Sequence, residues 1–538
     1  MAWSQKEIEE ILKNNLVVNS NKDSLYNCFY KCANKEKIFD LFNQINHELV
    51  YGRRGTGKTT LFKGLCYYVN TSGLTNNSIC RCIYIDMEDV IPDNTQTTSN
   101  NDNELIIETY RKLLCKLLEQ LLEFYTEICS SKTYYNIKYS KDDLNTCERN
   151  LNELFDLILC GKRKADTNVE KQSITDSYKK ENDTSFSADI EFGVRHVSMF
   201  SKFNFLKNRQ KTIIKQLSIE KTFVYVLDIN AIKLSLERLI ESLRIQRLII
   251  CIDEFTRVDK GIEGTIQPYI AQLIKDTFFR SEKITVKLSS LWNHTKMQIR
   301  QLGGKRIGIE LGDDIQRGAD LDTMFFGNNL AYTFFKEMLL KTCLIWFDTE
   351  NNIKDEELLQ THIINSLFAD EEAFMLLICG SQGIPRVFGN MLISCIKRRI
   401  ELNKSKIDPS VVYQCVIENF TRDVRRKLPY DTKIVSTFDD FITEKQSRFL
   451  IISLEDYEEN KQHIEGLVDN NYMHQYPSET IHRRLRNRFK VFLIHYGNYL
   501  ESLGLKEWRK NSQDDISLYP SIPDNMITAP QEYQLHLG

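Results

Sequence analysis

The most specific chemistry in the chain lies in eight consecutive residues, Gly52-Arg53-Arg54-Gly55-Thr56-Gly57-Lys58-Thr59. Glycines at this spacing let backbone N–H groups curl around phosphate oxygens, while Lys58 reaches the terminal phosphates and the Thr59 hydroxyl meets a magnesium ion. The pattern predicts a phosphate-binding loop for a nucleoside triphosphate, with Arg53, Arg54, Thr56 and Thr60 as its further nucleotide-facing residues. A second signal is Asp253-Glu254, which closes the apolar run Leu248-Ile249-Ile250-Cys251-Ile252. An aspartate there can order the metal's hydration shell and a glutamate can polarise an attacking water. Alone, an acidic pair ending a strand is also a helix cap or a turn. Together with the loop it implies hydrolysis of ATP with Mg2+, held by Thr59 and Asp253, and Glu254 as the base.

Such a loop requires a strand before it and a helix after it. The short run His47-Glu48-Leu49-Val50 precedes it and Thr60 to Val69 reads as a helix. Cys80 to Asp86 reads as a second strand, rich in β-branched and aromatic residues. The run ending at Asp253 is apolar throughout, as a strand covered on both faces should be. A helix from Ile266 to Phe279 and a strand from Ile284 to Leu288 continue the alternation, and Ile307 to Leu311 could add a strand or hairpin. This is the pattern of an α/β fold with a doubly wound parallel sheet.

Around that core, Lys35 to Ile45 carries a helical pattern, and leucines at three- and four-residue spacing predict a long helix from Glu104 to about Cys129. From about Tyr134 to Thr222 the pattern degrades, and Gly161 to Ser187 is rich in Lys, Asp, Ser and Thr, so an insertion is expected at about 134–222. Ordered helical spacing resumes from about Ala231 to Leu243. Helical patterns from Leu330 to Leu340 and Gly389 to Ile400 predict a helical lid at about 326–429. The region 430–510 mixes short helices with one strand, Phe489 to Tyr496, and suits a small winged-helix-like domain. The expected organisation is therefore 1–48 as a helical lead-in, 49–325 as the nucleotide-binding domain, then the lid, the C-terminal domain and a loosely held tail at 511–538.

A chain of 538 residues with 42% apolar and 27% charged residues has the composition of a soluble multidomain globular protein. A net charge of -3 gives no global attraction to nucleic acid or anionic lipid, so basic surface must be local. The fourteen cysteines are scattered without a Cys-x-x-Cys pair, the nearest pairs being Cys80 with Cys82 and Cys28 with Cys32. No signal-peptide pattern opens the sequence and no apolar run of about 18 residues occurs. The expectation is a cytoplasmic protein with reduced, buried thiols and no membrane contact.

Asp-Glu directly after an apolar strand, together with the loop Tyr51 to Thr59, resembles the AAA+ P-loop ATPases, and the loop is similar to those of the origin-recognition-complex branch. Bacterial members of that branch carry phrases similar to Ile266-Gln267-Pro268-Tyr269-Ile270, Ile284 to Leu288, and Gly308-Ile309-Glu310-Leu311-Gly312-Asp313-Asp314. The resemblance covers about residues 25 to 500 apart from the insertion. It implies a polar first sensor after the acidic pair, where Ser289, Ser290 and, further on, Asn293 stand; Ser290 is the candidate for nucleotide contact, unless it caps the next helix. Gly383-Ile384-Pro385-Arg386 resembles the second sensor, in which Arg386 reaches the γ-phosphate from the lid. A surface arginine at a helix start is the alternative. The family also implies an arginine acting across a homo-oligomer interface, for which Arg280 is the candidate, or a favourable charge at a helix C-terminus; Arg300 and Arg306 are alternatives.

His482 to Lys490 holds Arg483, Arg484, Arg486, Arg488 and Lys490, which could lie along double-stranded DNA, or form a solvated basic loop. Arg422, Arg425, Arg426 and Lys427 form a second basic stretch. Two outputs remain open at this level: an ATP-switched assembly that engages DNA, and an ATP-controlled signalling or scaffolding ATPase whose insertion or C-terminal module recognises a protein partner, with bacterial antiviral defence as a setting.

Overall fold

The computed structural model describes residues 4–15, 40–41, 43–71, 79–91, 102–131, 133–134, 137–159, 162–165, 223–259, 265–291, 294–301, 304–322, 328–346, 356–428, 432–475, 489–511 and 534–535. Five parallel strands form the central sheet: β1 (Glu48–Tyr51), β2 (Ile79–Asp86), β3 (Ile245–Asp253), β4 (Ile284–Ser290) and β5 (Gln316–Asp320). Their order across the sheet is β5-β1-β4-β3-β2.

Alternation along the strands builds two apolar layers. Leu248, Ile250 and Ile252 of β3 face one layer, with Ile83 and Ile85 of β2; Ile249 and Cys251 face the other, with Cys82 and Val50. Both sets are buried, which is why the stretch Leu248 to Ile252 of β3 reads as apolar without interruption. The second layer is closed by helix α2 (Lys58–Thr71) through Leu61, Phe62 and Leu65. The first is closed by α3 (Asp102–Ser131), α4 (Lys141–Leu159), α5 (Ile229–Ser242) and α6 (Gln267–Ile274). Helix α6 runs on into a π-helical turn, Lys275–Phe279, rather than continuing as the regular helix that the sequence suggests.

Two further elements depart from expectation. Helix α4 lies inside the stretch 134–222 expected to be an insertion without regular pattern: Leu144, Cys147, Leu151, Leu154, Phe155 and Ile158 keep helical spacing and are buried against the sheet-covering helices. Strand β5, Gln-Arg-Gly-Ala-Asp, has no apolar signature because it pairs at the edge, with β1 on one side. The Ile307–Leu311 expectation corresponds to a small hairpin, Gln298–Arg300 with Arg306–Gly308.

Beyond the sheet, α7 (Asn328–Trp346), α8 (Glu356–Leu367), α9 (Glu371–Gly380), α10 (Pro385–Glu401) and α11 (Pro409–Asn419) form the helical region. Asp370 and Asp408 cap α9 and α11 by accepting backbone N–H bonds, and Pro385 opens α10, where its missing N–H costs nothing. Helix α12 (Thr432–Lys445) is followed by β6 (Phe449–Ser453), α13 (Leu454–Glu459), α14 (Lys461–Asp469), β7 (Met473–Gln475), β8 (Phe489–Ile494) and α15 (Tyr496–Asn511). The C-terminal sheet thus has three antiparallel strands in the order β6-β8-β7, where the sequence suggested one. One continuous core joins these elements to the helical region, and the N-terminal helix α1 (Gln5–Asn15) enters it through Ile8, Ile11 and Leu12. Glu9 of that helix pairs with Arg399 of α10. Among the described residues no helix is long and apolar enough to cross a membrane. Of the Lys35–Ile45 pattern the described residues are 40–41 and 43–45, with Asp40, Leu41 and Asn43 helical; most of the insertion and of the tail lie outside the described residues.

Candidate nucleotide site

In a parallel sheet, side chains at the carboxyl ends of neighbouring strands form one edge, and crevices there receive ligands. Register aligns Asp320, Tyr51 and Ser290 on β5, β1 and β4, and aligns Asp253 of β3 with Asp86 of β2. Residues up to about 270 positions apart in sequence therefore meet at one edge.

The loop leaves β1 at Tyr51 and becomes α2 at Lys58. Gly55 and Gly57 have φ of 87° and 99°, the left-handed region that glycine adopts without strain. Lys58 is buried, and its ammonium donates to the carbonyls of Gly52 at 2.6 Å and Arg53 at 3.0 Å. Burial lowers its pKa, against the opposing pull of the Glu254, Asp253 and Asp322 carboxylates. The Thr56 hydroxyl donates to the Arg53 carbonyl at 2.8 Å and helps hold the turn. Thr59 and Thr60 occupy the first turn of α2 and are half-buried; Arg54 is exposed.

Asp253 is fully buried. One oxygen accepts from the Glu254 N–H at 3.0 Å and from the Ser289 hydroxyl, the other from the Tyr84 hydroxyl at 2.9 Å. Among the described residues no cation lies within ion-pair distance of it. A buried carboxylate oriented by three neutral donors has only the more distant Lys58 ammonium as countercharge. Asp86 beside it has a raised pKa, first from burial and then from the negative charge of Asp253, Asp89 and Glu254. This donor set, with the Thr59 hydroxyl, fits a hard divalent cation such as Mg2+.

Glu254 sits just beyond the strand at φ 54°, an uncommon backbone conformation for a residue with a side chain. Its carboxylate receives Arg257 Nε at 3.2 Å, and Arg257 also reaches Glu88 at 2.7 Å. Its backbone N–H also donates to Ser289 Oγ at 3.1 Å. Of the two serines on β4, Ser289 thus reaches the acidic pair, whereas the Ser290 hydroxyl bonds to Thr295. Successive strand residues face opposite sides, so a one-residue difference decides which serves. Asn293 lies outside the described residues.

The helical region touches the loop directly. A Cβ on Gly55 would stand 3.0 Å from Ile384 Cγ2 and 3.3 Å from Arg386 Cβ. Arg53 donates through its backbone N–H and its Nε to Asp322, each at 2.9 Å, and through a terminal nitrogen to the Gln382 carbonyl at 3.0 Å. Its guanidinium therefore joins the loop to the turn before α10, rather than pointing only toward phosphate. Arg386 is exposed beside the loop. Arg280 is also exposed, but at the amino end of β4, where it lines a cavity of about 340 Å³ with His47, Asp313 and Asp314. That end of the sheet is opposite Glu254. Arg300 and Arg306 are exposed on the small hairpin, Arg306 paired with Glu310.

Sequence reasoning missed Tyr84, Asp86, Arg257, Asp322 and Gln382. Tyr84 and Asp86 fall on a strand already recognised, but nothing in spacing distinguishes them; Asp322 and Gln382 become site residues through contacts across the chain. The second basic stretch is largely engaged internally: Arg422 pairs with Asp423, and Arg425 with Asp439 and Glu501. Lys490 lies 3.2 Å above the Tyr457 ring, and Arg483, Arg484, Arg486 and Arg488 are outside the described residues.

No protein-family model matches the chain, and no curated protein does. Among solved structures it is similar to a Walker-type ATPase of Pyrococcus abyssi, at 12% identity over 87% of this chain and 95% of that one, with a TM-score of 0.35. The Aeropyrum pernix ORC2 protein, solved as ADPNP–ADP complexes, is similar at 11% identity over 92% of each chain, TM-score 0.36. Cdc6p of Pyrobaculum aerophilum is similar at 10% identity over 87% of this chain and 93% of that one, TM-score 0.24. The chain's own strand order, the glycine loop that opens α2 and the acidic pair that closes β3 are those of an α/β P-loop fold.

Proposed function

We propose that the chain is a Mg2+-dependent ATPase in which the state of the nucleotide sets the position of the helical region and C-terminal module, and that this switch controls an assembly that engages DNA. The observation that carries the switch is the close approach of Ile384 and Arg386 to Gly55, which leaves no room for a Cβ there, reinforced by Arg53 between Asp322 and Gln382. In this reading Lys58 and the loop N–H groups hold the phosphates, and Thr59 and Asp253 would hold Mg2+, which supplies positive charge to the phosphate oxygens. Glu254 orients a water and accepts its proton as the new oxygen–phosphorus bond forms and ADP leaves. Ser289 and Tyr84 hold Asp253 in place; Arg386 answers the γ-phosphate, and an exposed arginine such as Arg280 acts in a neighbouring copy.

The test is Glu254→Gln. It should reduce turnover by roughly 10²- to 10⁴-fold, the range for a positioned general base, while ATP still binds. Unchanged phosphate release would remove Glu254 from that role. Lys58→Ala should instead lose nucleotide binding, read with a fluorescent ATP analogue.

The DNA-engaging output is supported by the order of the C-terminal elements. Helix α12, β6, the helices α13 and α14, β7 and β8 follow one another in the chain as the elements of a winged helix do. Retention of a duplex by the ATP-bound Glu254→Gln protein, falling as salt rises, is the expected result. The internal pairing of Arg425 and the seating of Lys490 on Tyr457 favour the second reading, output through a protein partner bound by the insertion, antiviral defence being one setting. A partner that copurifies only when 134–222 is intact, with no salt-sensitive DNA binding, would select it.

A further inference from the structure

Three thiols converge beneath the phosphate-binding helix. Cys66 stands on α2, Cys82 on β2 and Cys251 on β3, and their sulfur atoms all lie within 4.8 Å of one another. Cys66 Sγ is 2.9 Å from Cys82 Sγ, which is 3.7 Å from Cys251 Sγ. All three are free cysteines. They meet because β2 and β3 turn these residues toward the layer that α2 closes with Leu61, Phe62 and Leu65.

A free cysteine in such a layer behaves as a small apolar residue, and one alone would need no other account. Three from separate elements, with their sulfurs gathered at one point, supply three of the four ligands that a zinc-class ion takes, the fourth position going to a water or other exogenous donor. Around a tetrahedral ion with metal–sulfur bonds of about 2.3 Å, sulfurs stand about 3.8 Å apart, within the spread seen here. Charge favours a divalent ion: with three thiolates it leaves one net negative charge, whereas a monovalent ion leaves two. Arg81 and Lys63 are the cations whose charge is felt at Cys66. A disulfide between Cys66 and Cys82 would use two of the sulfurs and leave Cys251 without a role.

We propose that Cys66, Cys82 and Cys251 form a binding site for a thiophilic divalent cation of the zinc class. Binding exchanges three S–H protons for three metal–sulfur bonds: three thiols and one M2+ give a tris-thiolate complex of charge minus one and three protons. The ion ties α2, which begins at Lys58, to β3, which ends at Asp253, and so joins the scaffolds of the two halves of the nucleotide site. The site stands independently of the proposed ATPase cycle.

The full chain, purified under reductant and stripped with a chelator, is titrated anaerobically with Co2+ and then Zn2+. One Co2+ per chain should bind with a thiolate-to-cobalt charge-transfer band of about three thiolates, Zn2+ should bleach that band, and Zn2+ should raise the Tm. Cys66→Ala, Cys82→Ala and Cys251→Ala should each lose the band, whereas Cys80→Ala, whose half-buried thiol lies outside the trio, should retain it. Circular dichroism checks that the variants fold, and the wild-type spectrum decides the matter where they do not. The proposal is overturned by absence of the band in reduced wild-type protein, by its survival in the three variants, or by a Cys66–Cys82 disulfide without metal in protein purified free of reductant.

Discussion

Single side chains at this site do more than their types announce. Gly55 is required twice, because its φ of 87° suits only glycine without strain and because a Cβ would press on Ile384 at 3.0 Å. Gly55→Ala should therefore cost roughly 1–2 kcal/mol from the backbone alone, and weaken nucleotide binding further as the loop shifts. Chemical denaturation alongside nucleotide titration separates the two losses; unchanged affinity would show that the Ile384 contact is slack. Lys287 is a different case. Fully buried in β4, it pairs with Glu48 at 2.5 Å and donates to the carbonyls of Gln44 and Asn46. Burial lowers its pKa and the Glu48 carboxylate opposes that shift. Lys287→Met should destabilise by about 3–5 kcal/mol because Glu48 is left as an uncompensated buried charge. Adding Glu48→Gln should recover part of the loss; if it does not, the pair is not what holds these strands.

Between elements, the informative joint is Arg53, which ties the loop after β1 to Asp322 after β5 and to Gln382 before α10. Gln382 and Gly383 both have positive φ, at 56° and 67°, so this turn presents its carbonyl to Arg53 through an unusual backbone path. Removing a charge-assisted hydrogen bond costs about 1.5–3 kcal/mol. Arg53→Ala should accordingly raise KM for ATP roughly tenfold, with a smaller change in kcat, since Glu254 and Asp253 are untouched. A fall in kcat with KM unchanged would assign Arg53 to the chemical step instead.

At the scale of the whole molecule, the C-terminal module is packed close enough to the loop for its histidines to feel Arg53. Burial lowers His474 well below the ordinary imidazole range, with Arg53 and Arg448 adding to the effect. His495 is brought to about 3 by burial, then by Arg448 and Arg53. Both are neutral in the folded protein, whereas in the unfolded chain each takes a proton near pH 6.5. The unfolded state therefore binds more protons as pH falls below about 6.5, and stability is lost from there downward, by up to about 1.4 kcal/mol per pH unit for each histidine. Denaturant titrations between pH 7 and 4.5 should show this slope, and His474→Leu should remove about one proton from it. An unaltered slope would mean that His474 is hydrated. His294 bonds Asp469 at 2.9 Å and links the turn after β4 to α14, a second route from the nucleotide edge to the module.

What was legible in the sequence was local. Gly52 to Thr59 and Asp253-Glu254 are short patterns whose chemistry depends on residue type and spacing, and the apolar run of β3 declares a strand buried on both faces. The helix Lys141–Leu159 was legible too, in Leu144, Cys147, Leu151 and Leu154, but the polar stretch after it obscured it. Strand β5 was not, because an edge strand pairs through its backbone and needs no apolar alternation. Only the tertiary structure decided that Ser289 rather than Ser290 reaches Asp253, that Arg53 turns to the helical region, that Tyr84 and Asp322 belong to the site, and that three scattered cysteines share one point. Strand register and layer packing bring such residues together across long stretches of chain, and neither register nor packing is written in the neighbours of any one residue.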